Sequence, residues 1–361
     1  MEPRLKVLFL SRAYPPVVGG IERQNYELST ALAEIAEVRV IANTRGKKYL
    51  PFFYLTAFFQ ALSMVRRYDI VLLGDGVLAP LGAILKQLSG KPVCCVIHGL
   101  DITYCNLLYQ RVWVDWALNR LDRLFAVGNE TIRQAAARGV DTSRCDFIPN
   151  GVTMPAKGRD EAHGSEAGGL QLLTLGRLVP RKGVAWFIRE VMPLLPDDIR
   201  YWVAGDGPEK EEILLARGAL EKPERVTLLG PVSEEEKQRL LYSADLFLQP
   251  NIPVKNDMEG FGLVVLEAAA AGLPVLASRL EGLRDAIREG ENGILVEPRN
   301  AEGYREAIVT LSGSPEKLRE LGRNARSYVA RNCQWQHIAS RYLDALQTLA
   351  GPVATRQADD Q

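Results

Sequence analysis

The chain has 361 residues, enough for two domains that each bury a core of their own. Lys plus Arg and Asp plus Glu both number 44, so no global charge points to nucleic acid as a partner. The five cysteines (Cys94, Cys95, Cys105, Cys145, Cys333) lack metal-ligand spacing, and adjacent Cys94-Cys95, in an apolar run, read as buried, reduced thiols.

From the N-terminus, Met1-Glu2-Pro3-Arg4 leads straight into a strand-like run at 6–10 and does not read as a signal peptide. Gly19 and Gly20 follow that strand and precede a helical pattern at 21–33. Paired glycines there let a backbone approach a ligand closely and present amides to an anion, although an ordinary βα turn accounts for them as well. The pattern is not Gly-x-Gly-x-x-Gly, which argues against a dinucleotide dehydrogenase. After a strand at 38–42, the stretch 50–68 carries Phe52, Phe53, Phe58, Phe59 and Leu62 and ends near Arg66-Arg67. It fits a core helix of the first domain, or an interfacial helix in peripheral membrane contact with a lipid-linked acceptor. No apolar run approaches 18 residues, so no spanning helix is predicted.

Further strands fall at 70–73, 93–97, 124–127 and 146–148, with a helical pattern at 130–138. Several strands are apolar throughout, which suits strands buried on both faces of a parallel sheet. The βα alternation predicts a doubly wound α/β sheet. His98 stands at the end of the 93–97 strand, followed by Gly99 and Asp101, where it can reach a substrate hydroxyl.

The character changes at 156–169, a polar, Gly-rich stretch without periodicity that reads as a linker or mobile loop. Alternation then resumes, with strands at 171–175, 201–204, 226–229, 246–249, 275–277 and 294–296. Helical patterns follow at 301–311, 315–331 and 338–349. The predicted division is an N-terminal domain 1–155, the linker, a C-terminal domain 170–335, a final helix 336–350 and a polar tail 351–361. Ligands of doubly wound sheets bind outside the carboxyl ends of the strands. Two such domains facing one another therefore predict a cleft between them.

Unusual residues do cluster at the strand ends of the second half. Arg177 and Lys182 lie five apart between Gly176 and Gly183, so both can converge on one anion, the first as a planar fork and the second as a compact charge. Asp206, between Gly205 and Gly207, fits an N-cap and tight turn as well as a binding role. Ser233 with Glu236 has the form of a capping box, and the backbone at Val232 beside it can border a nucleobase. Glu259 and Glu267 stand eight apart across Gly260-Phe261-Gly262, before and within an Ala-rich helix. A turn that tolerates phosphate at a helix N-terminus, with an acid on either side to accept from hydroxyls, describes a sugar-nucleotide site.

Taken together, Gly19-Gly20, His98-Gly99-x-Asp101, Gly176-Arg177-x4-Lys182-Gly183, Gly205-Asp206-Gly207-Pro208 and Glu259-x7-Glu267 resemble the retaining GT-B glycosyltransferases of family 4. The resemblance spans nearly the whole chain in the right order. It implies two Rossmann-like domains closing over a nucleoside-diphosphate sugar, with the last helix returning to the N-terminal domain. On the same footing, Arg177 and Lys182 would neutralise the donor diphosphate. Glu259 would bind hydroxyls of the transferred sugar, and the amides of Phe261, Gly262 and Leu263 would hold sugar and phosphate. Glu267 would accept from the ribose, Gly19 and Gly20 would let their loop approach the phosphates, and His98 would touch the sugar near its reacting face.

The implied activity moves a hexosyl group to a glycan or lipid-linked acceptor in cell-envelope or exopolysaccharide biosynthesis. The expected setting is the cytoplasm or the cytoplasmic membrane face. No Asp-x-Asp occurs, so the two cations are expected to take a metal's place, and no cofactor beyond the co-substrate is predicted. A sugar-nucleotide epimerase of the same fold, or a non-enzymatic two-domain sugar-binding protein, stands as the alternative. Two departures from the family pattern concern local loops: the long lead-in 251–258, and Glu281-Gly282 where many members carry Gly-Gly.

Overall fold

A computed structural model describes residues 4–17, 19–156, 158 and 169–351. Apart from 156, 158 and 169, the expected linker lies outside the described residues, as does the expected tail beyond 351. The chain divides into two compact units. The first holds the described residues up to Gly151 together with those from Trp335 onward, and the second runs Val152–Gln334.

Unit 1 is built on six strands: β1 (Lys6–Ser11), β2 (Glu37–Ala42), β3 (Ile70–Leu73), β4 (Val93–Ile97), β5 (Arg123–Ala126) and β6 (Cys145–Phe147). They form one parallel sheet in the order β2-β1-β3-β4-β5-β6. Every residue of β3 and β4 is buried, as unbroken apolar runs covered by helices on both faces require. Edge strand β2 instead alternates exposed and half-buried positions along most of its length. The helices are α1 (Gly20–Ile35), α2 (Leu50–Met64), α3 (Ala79–Ser89), α4 (Leu100–Thr103), α5 (Leu107–Tyr109) and α6 (Asn129–Ala136).

Unit 2 repeats the plan with β7 (Gln171–Leu175), β8 (Arg200–Ala204), β9 (Val226–Gly230), β10 (Leu246–Gln249), β11 (Val275–Ser278) and β12 (Ile294–Val296). These are also parallel, ordered β12-β11-β10-β7-β8-β9. Its helices are α7 (Val184–Glu190), α8 (Lys210–Gly218), α9 (Glu234–Ser243), α10 (Leu263–Ala271), α11 (Leu283–Ala286), α12 (Ala301–Ser312) and α13 (Pro315–Asn332).

A last helix, α14 (Trp335–Ala350), belongs to unit 1 and packs against α1. Its Tyr342 ring meets Phe125 of β5 edge-on at 5.0 Å between centroids, and Arg341 donates to the Phe147 carbonyl at 2.8 Å. Trp335 lies so close to Gly151 that a Cβ there would come within 2.5 Å of the indole.

The strand orders locate the places where ligands bind such sheets. In unit 1 the chain runs outward from β1 to β2 and then returns to β3 on the other side. In unit 2 the reversal falls between β7 and β10. Ligands of open α/β sheets bind at such reversals, beyond the carboxyl ends of the strands.

Candidate active site

At the unit 2 reversal, the loop 176–183 leaves β7 and the segment 250–262 leaves β10. The two are pressed together: Ile252 N–H donates to the Arg181 carbonyl at 2.9 Å, and a Cβ on Gly183 would lie 2.0 Å from the Pro250 carbonyl oxygen. Gly183 also has φ +65, so both its conformation and its neighbour exclude a side chain. This contact delivers Lys182 and Glu259 to one point.

Lys182 and Glu259, 7% and 8% exposed, form an ion pair with Nζ 2.5 Å from Oε2. The Arg181 guanidinium approaches the same oxygen at 3.6 Å, and the Asn251 amide donates to it at 3.2 Å. Among the described residues no hydrogen bond engages Oε1, so that oxygen keeps its lone pairs for another donor. Burial pushes the Glu259 carboxyl up, but Lys182, Arg181 and the two side-chain hydrogen bonds outweigh it and hold the group below the ordinary carboxylate range. The site therefore contains an ionised, fixed carboxylate. Lys182 also retains donors beyond the one it gives Glu259.

The unusual lead-in 251–258 has a clear part in this. Its Asp257 pairs with Arg181 at 3.0 Å and so draws that guanidinium to the edge of the cluster. Ser278 donates to the Asn251 carbonyl at 2.5 Å and the Gln249 amide to Asn251 Oδ1 at 2.8 Å, which aims the Asn251 amide at Glu259. Arg181, Asp257 and Asn251 were not singled out from the sequence. The adjacent Arg181-Lys182 pair was the available signal for Arg181, whereas Asp257 and Asn251 lie in a stretch without periodicity.

Arg177 does not join this pair. It is exposed, and among the described residues no ion pair or hydrogen bond holds its guanidinium. Gly176 beside it is exposed at φ +137. Asp206 is also exposed and accepts from the Gly207 amide at 2.9 Å, while its carbonyl accepts from Leu178 N–H. It does not cap α8, whose N-cap is Glu209, because the chain spends two further residues in the turn. Val232 is half-buried just before the Ser233–Glu236 capping box, which forms with both reciprocal hydrogen bonds.

Phe261 is buried, Gly262 is the left-handed N-cap of α10 at φ +84, and Leu263 opens that helix. Val265 N–H donates to the Gly262 carbonyl at 3.0 Å, whereas among the described residues the amides of Leu263 and Val264 have no acceptor and are suited to an anion. Glu267, just over a turn further on, pairs with Lys237 of α9 at 3.0 Å.

In unit 1, Gly19 is the extended N-cap of α1, Gly20 begins that helix, and a Cβ on Gly19 would collide with the Glu22 carboxylate at 2.1 Å. His98 follows β4, with its Nε2 2.9 Å from the Gly74 carbonyl. A carbonyl only accepts, so Nε2 carries a proton, and in the neutral ring Nδ1 is then the acceptor. Asp101 fixes the turn beneath it, accepting from the amides of His98 at 3.0 Å, Gly99 at 2.8 Å and Gly76 at 2.9 Å.

At the unit 1 reversal, Arg12 after β1 pairs with Asp75 after β3 at 3.0 Å. Burial pushes the Asp75 carboxyl up, with Arg12 pulling against it, and Asp75 Oδ2 has no hydrogen-bond partner. This pair also escaped the sequence analysis: Arg12 has no Gly-rich motif about it, and Asp75, though set between Gly74 and Gly76, shows its role only through this partner distant in the chain. Among the cysteines, Cys94, Cys95 and Cys333 are buried and all five are free thiols. Cys105 is exposed between α4 and α5, and Cys145 is half-buried at the start of edge strand β6.

The family profile described as Glycosyl transferases group 1 matches residues 169–314, and the one described as Glycosyltransferase Family 4 matches residues 18–154. The phosphatidyl-myo-inositol mannosyltransferase of Mycobacterium leprae is 28% identical across 92% of this chain and 94% of that protein. The D-inositol 3-phosphate glycosyltransferase of Pseudarthrobacter chlorophenolicus is 30% identical across 77% and 70%. The fold matches the crystal structure of Anabaena HepE in complex with UDP, with a TM-score of 0.75 at 20% identity over 96% of this chain and 100% of that one.

Proposed function

The chain belongs to the family 4 glycosyltransferases of GT-B fold, and on that premise we propose that it transfers a hexosyl group, with retention, from a nucleoside-diphosphate sugar to a glycan or lipid-linked acceptor. The observation that carries this reading is the Lys182–Glu259 pair at the switch point of unit 2. Glycosyl transfer builds cationic character at the anomeric carbon and negative charge on the departing diphosphate. A fixed carboxylate with one oxygen unoccupied suits the sugar hydroxyls. A lysine with donors to spare, the exposed Arg177 and the first-turn amides of α10 suit the diphosphate.

Glu259 is committed to cations through Oε2, which makes it an orienting group and not a nucleophile. In this reading the leaving phosphate takes the acceptor's proton, and the cations replace a metal. Glu267 receives the ribose, Asp206 and Val232 border the nucleotide, the loop at Gly19 and Gly20 approaches the phosphates, and Nδ1 of His98 accepts from the sugar.

The acceptor reading rests on α2. Phe53, Ala57 and Ala61 face the unit 1 core, whereas Phe52, Leu55 and Phe59 are 64%, 63% and 65% exposed on another face. No acidic residue occurs from 44 to 68, while exposed Lys47, Lys48, Arg66 and Arg67 flank the stripe. Apolar rings between cations fit an anionic lipid surface. This supports a setting at the cytoplasmic membrane face in cell-envelope or exopolysaccharide assembly, in line with a relative named for phosphatidyl-myo-inositol. No described helix is long and apolar enough to cross a membrane.

The donor is tested by a thermal-shift panel of UDP-, GDP- and ADP-sugars. A sugar nucleotide at 100 times its dissociation constant adds about 2.7 kcal/mol, and a panel with no stabilising member sinks the donor reading. Free nucleoside diphosphate should then appear only when an acceptor is added. The membrane reading predicts flotation with phosphatidylglycerol vesicles that is lost on Phe52→Ser with Phe59→Ser. Absence of flotation in the unaltered protein removes it.

A further inference from the structure

The side chain of Glu259 is held by Lys182, Arg181 and Asn251, and its main chain is held separately, by the turn that follows β11. Glu281 Oε2 accepts from the Glu259 amide at 2.6 Å, and the Gly282 amide donates to the Glu259 carbonyl at 3.1 Å. Residues 281 and 282 thus clasp both backbone polar groups of one residue. The approach leaves no slack, because a Cβ on Gly282 would lie 2.3 Å from the Gly260 carbonyl oxygen and 2.6 Å from the Phe261 nitrogen.

Glu281 does this from φ +47, a left-handed conformation that Gly adopts freely and a residue with a Cβ does not. A position of that shape favours glycine on backbone grounds alone. A glutamate there keeps the conformational cost and gains a charge-assisted hydrogen bond, which glycine lacks, to the amide that opens the Glu259–Phe261 turn. The same residue also adds a negative charge next to a carboxylate that already needs two cations. The arrangement therefore serves position rather than charge.

We propose that Glu281 is a positioning residue: by gripping the Glu259 amide it sets the direction of the Glu259 carboxylate, and through it the recognition of the transferred sugar. The proposal rests on the reading that Glu259 receives that sugar. It makes donor selectivity in this chain depend on a residue that acts through Glu259.

The experiment uses the intact protein and whichever of UDP-glucose with UDP, GDP-mannose with GDP, or ADP-glucose with ADP it binds. The readout is the ratio of nucleoside-diphosphate to sugar-nucleotide dissociation constants, which a general loosening of the fold moves little because both ligands share the nucleotide. Glu281→Gly is expected to lower this ratio about tenfold, the worth of one charged hydrogen bond. Glu281→Gln, whose side-chain carbonyl accepts the same bond, is expected to stay within about twofold of the unaltered protein. In a Glu259→Ala background, Glu281→Gly should change the ratio no further, since its target is gone.

An unchanged ratio in Glu281→Gly beside a lowered one in Glu259→Ala overturns the positioning role alone. A full additional drop in the double variant overturns it too, as does Glu281→Gln behaving like Glu281→Gly. A wild-type ratio in Glu259→Ala overturns the sugar reading itself, and the proposal with it.

Discussion

Replacing Lys182 removes the cation against which a buried carboxylate is balanced, whereas replacing Arg177 removes an exposed side chain that nothing described engages. Breaking one side of a buried pair costs about 3–5 kcal/mol because the other charge is left without compensation. Lys182→Ala is therefore expected to lower both unfolding stability and turnover. Arg177→Ala should cut turnover about 10²-fold while stability stays within about 0.5 kcal/mol. Urea titration beside initial rates separates the two, and near-normal turnover in either variant removes it from the diphosphate site.

Glu259 also gives unit 2 a pH signature. Its folded carboxyl lies below the ordinary value of 4.5, so its ionised form adds stability that is fully present above that value and is lost as pH falls through the lower folded value. The stability difference between the unaltered protein and Glu259→Gln should be constant at neutral pH and shrink only below pH 4.5. A difference that shrinks above that pH contradicts the ion-pair account. At this scale the sequence was informative where residue type and motif coincided, as at Lys182 and Glu259. It was silent on Asp75, Asp257 and Asn251, whose roles come from partners distant in the chain.

Among the elements, strands were the most legible, because a strand buried on both faces must be apolar throughout. The expected ranges for Ile70–Leu73, Val93–Ile97, Gln171–Leu175, Leu246–Gln249 and Ile294–Val296 match the structure at both ends. The stretch 50–68 offered a choice between core and interface, and α2 has both an inward face and an exposed apolar one. Periodicity could not show this, since the helix is apolar nearly all round.

The Ala-rich α10 is explained by its neighbour α13: a Cβ on Gly322 of α13 would lie 2.3 Å from the Gly272 carbonyl at the end of α10. Gly322→Ala gains about 1 kcal/mol of helix propensity yet should destabilise overall by about 1–3 kcal/mol, because backbone cannot yield as a side chain can. A rise in the urea midpoint would show that the two helices tolerate separation.

At the scale of the whole molecule, the end of the sequence completes the unit at its beginning. Tyr342 is fully buried in unit 1 against Phe125, whereas α13, its predecessor in the chain, belongs to unit 2. Tyr342→Ala should cost about 3–5 kcal/mol, the range for large aromatic truncations. Hydrogen exchange is expected to lose protection in β5 and α1 while β7 and β10 keep theirs. Equal loss in both units would mean that they unfold as one.

Two parallel α/β sheets, their strands, and the glycosyltransferase class were all determined by the sequence, because each depends on local periodicity or on a motif of neighbouring residues. Tertiary structure decided which cation meets Glu259, what the 251–258 lead-in is for, and that Glu281 grips a backbone amide. Each of these joins residues from loops after different strands, and only the strand order of the folded sheet brings such loops together.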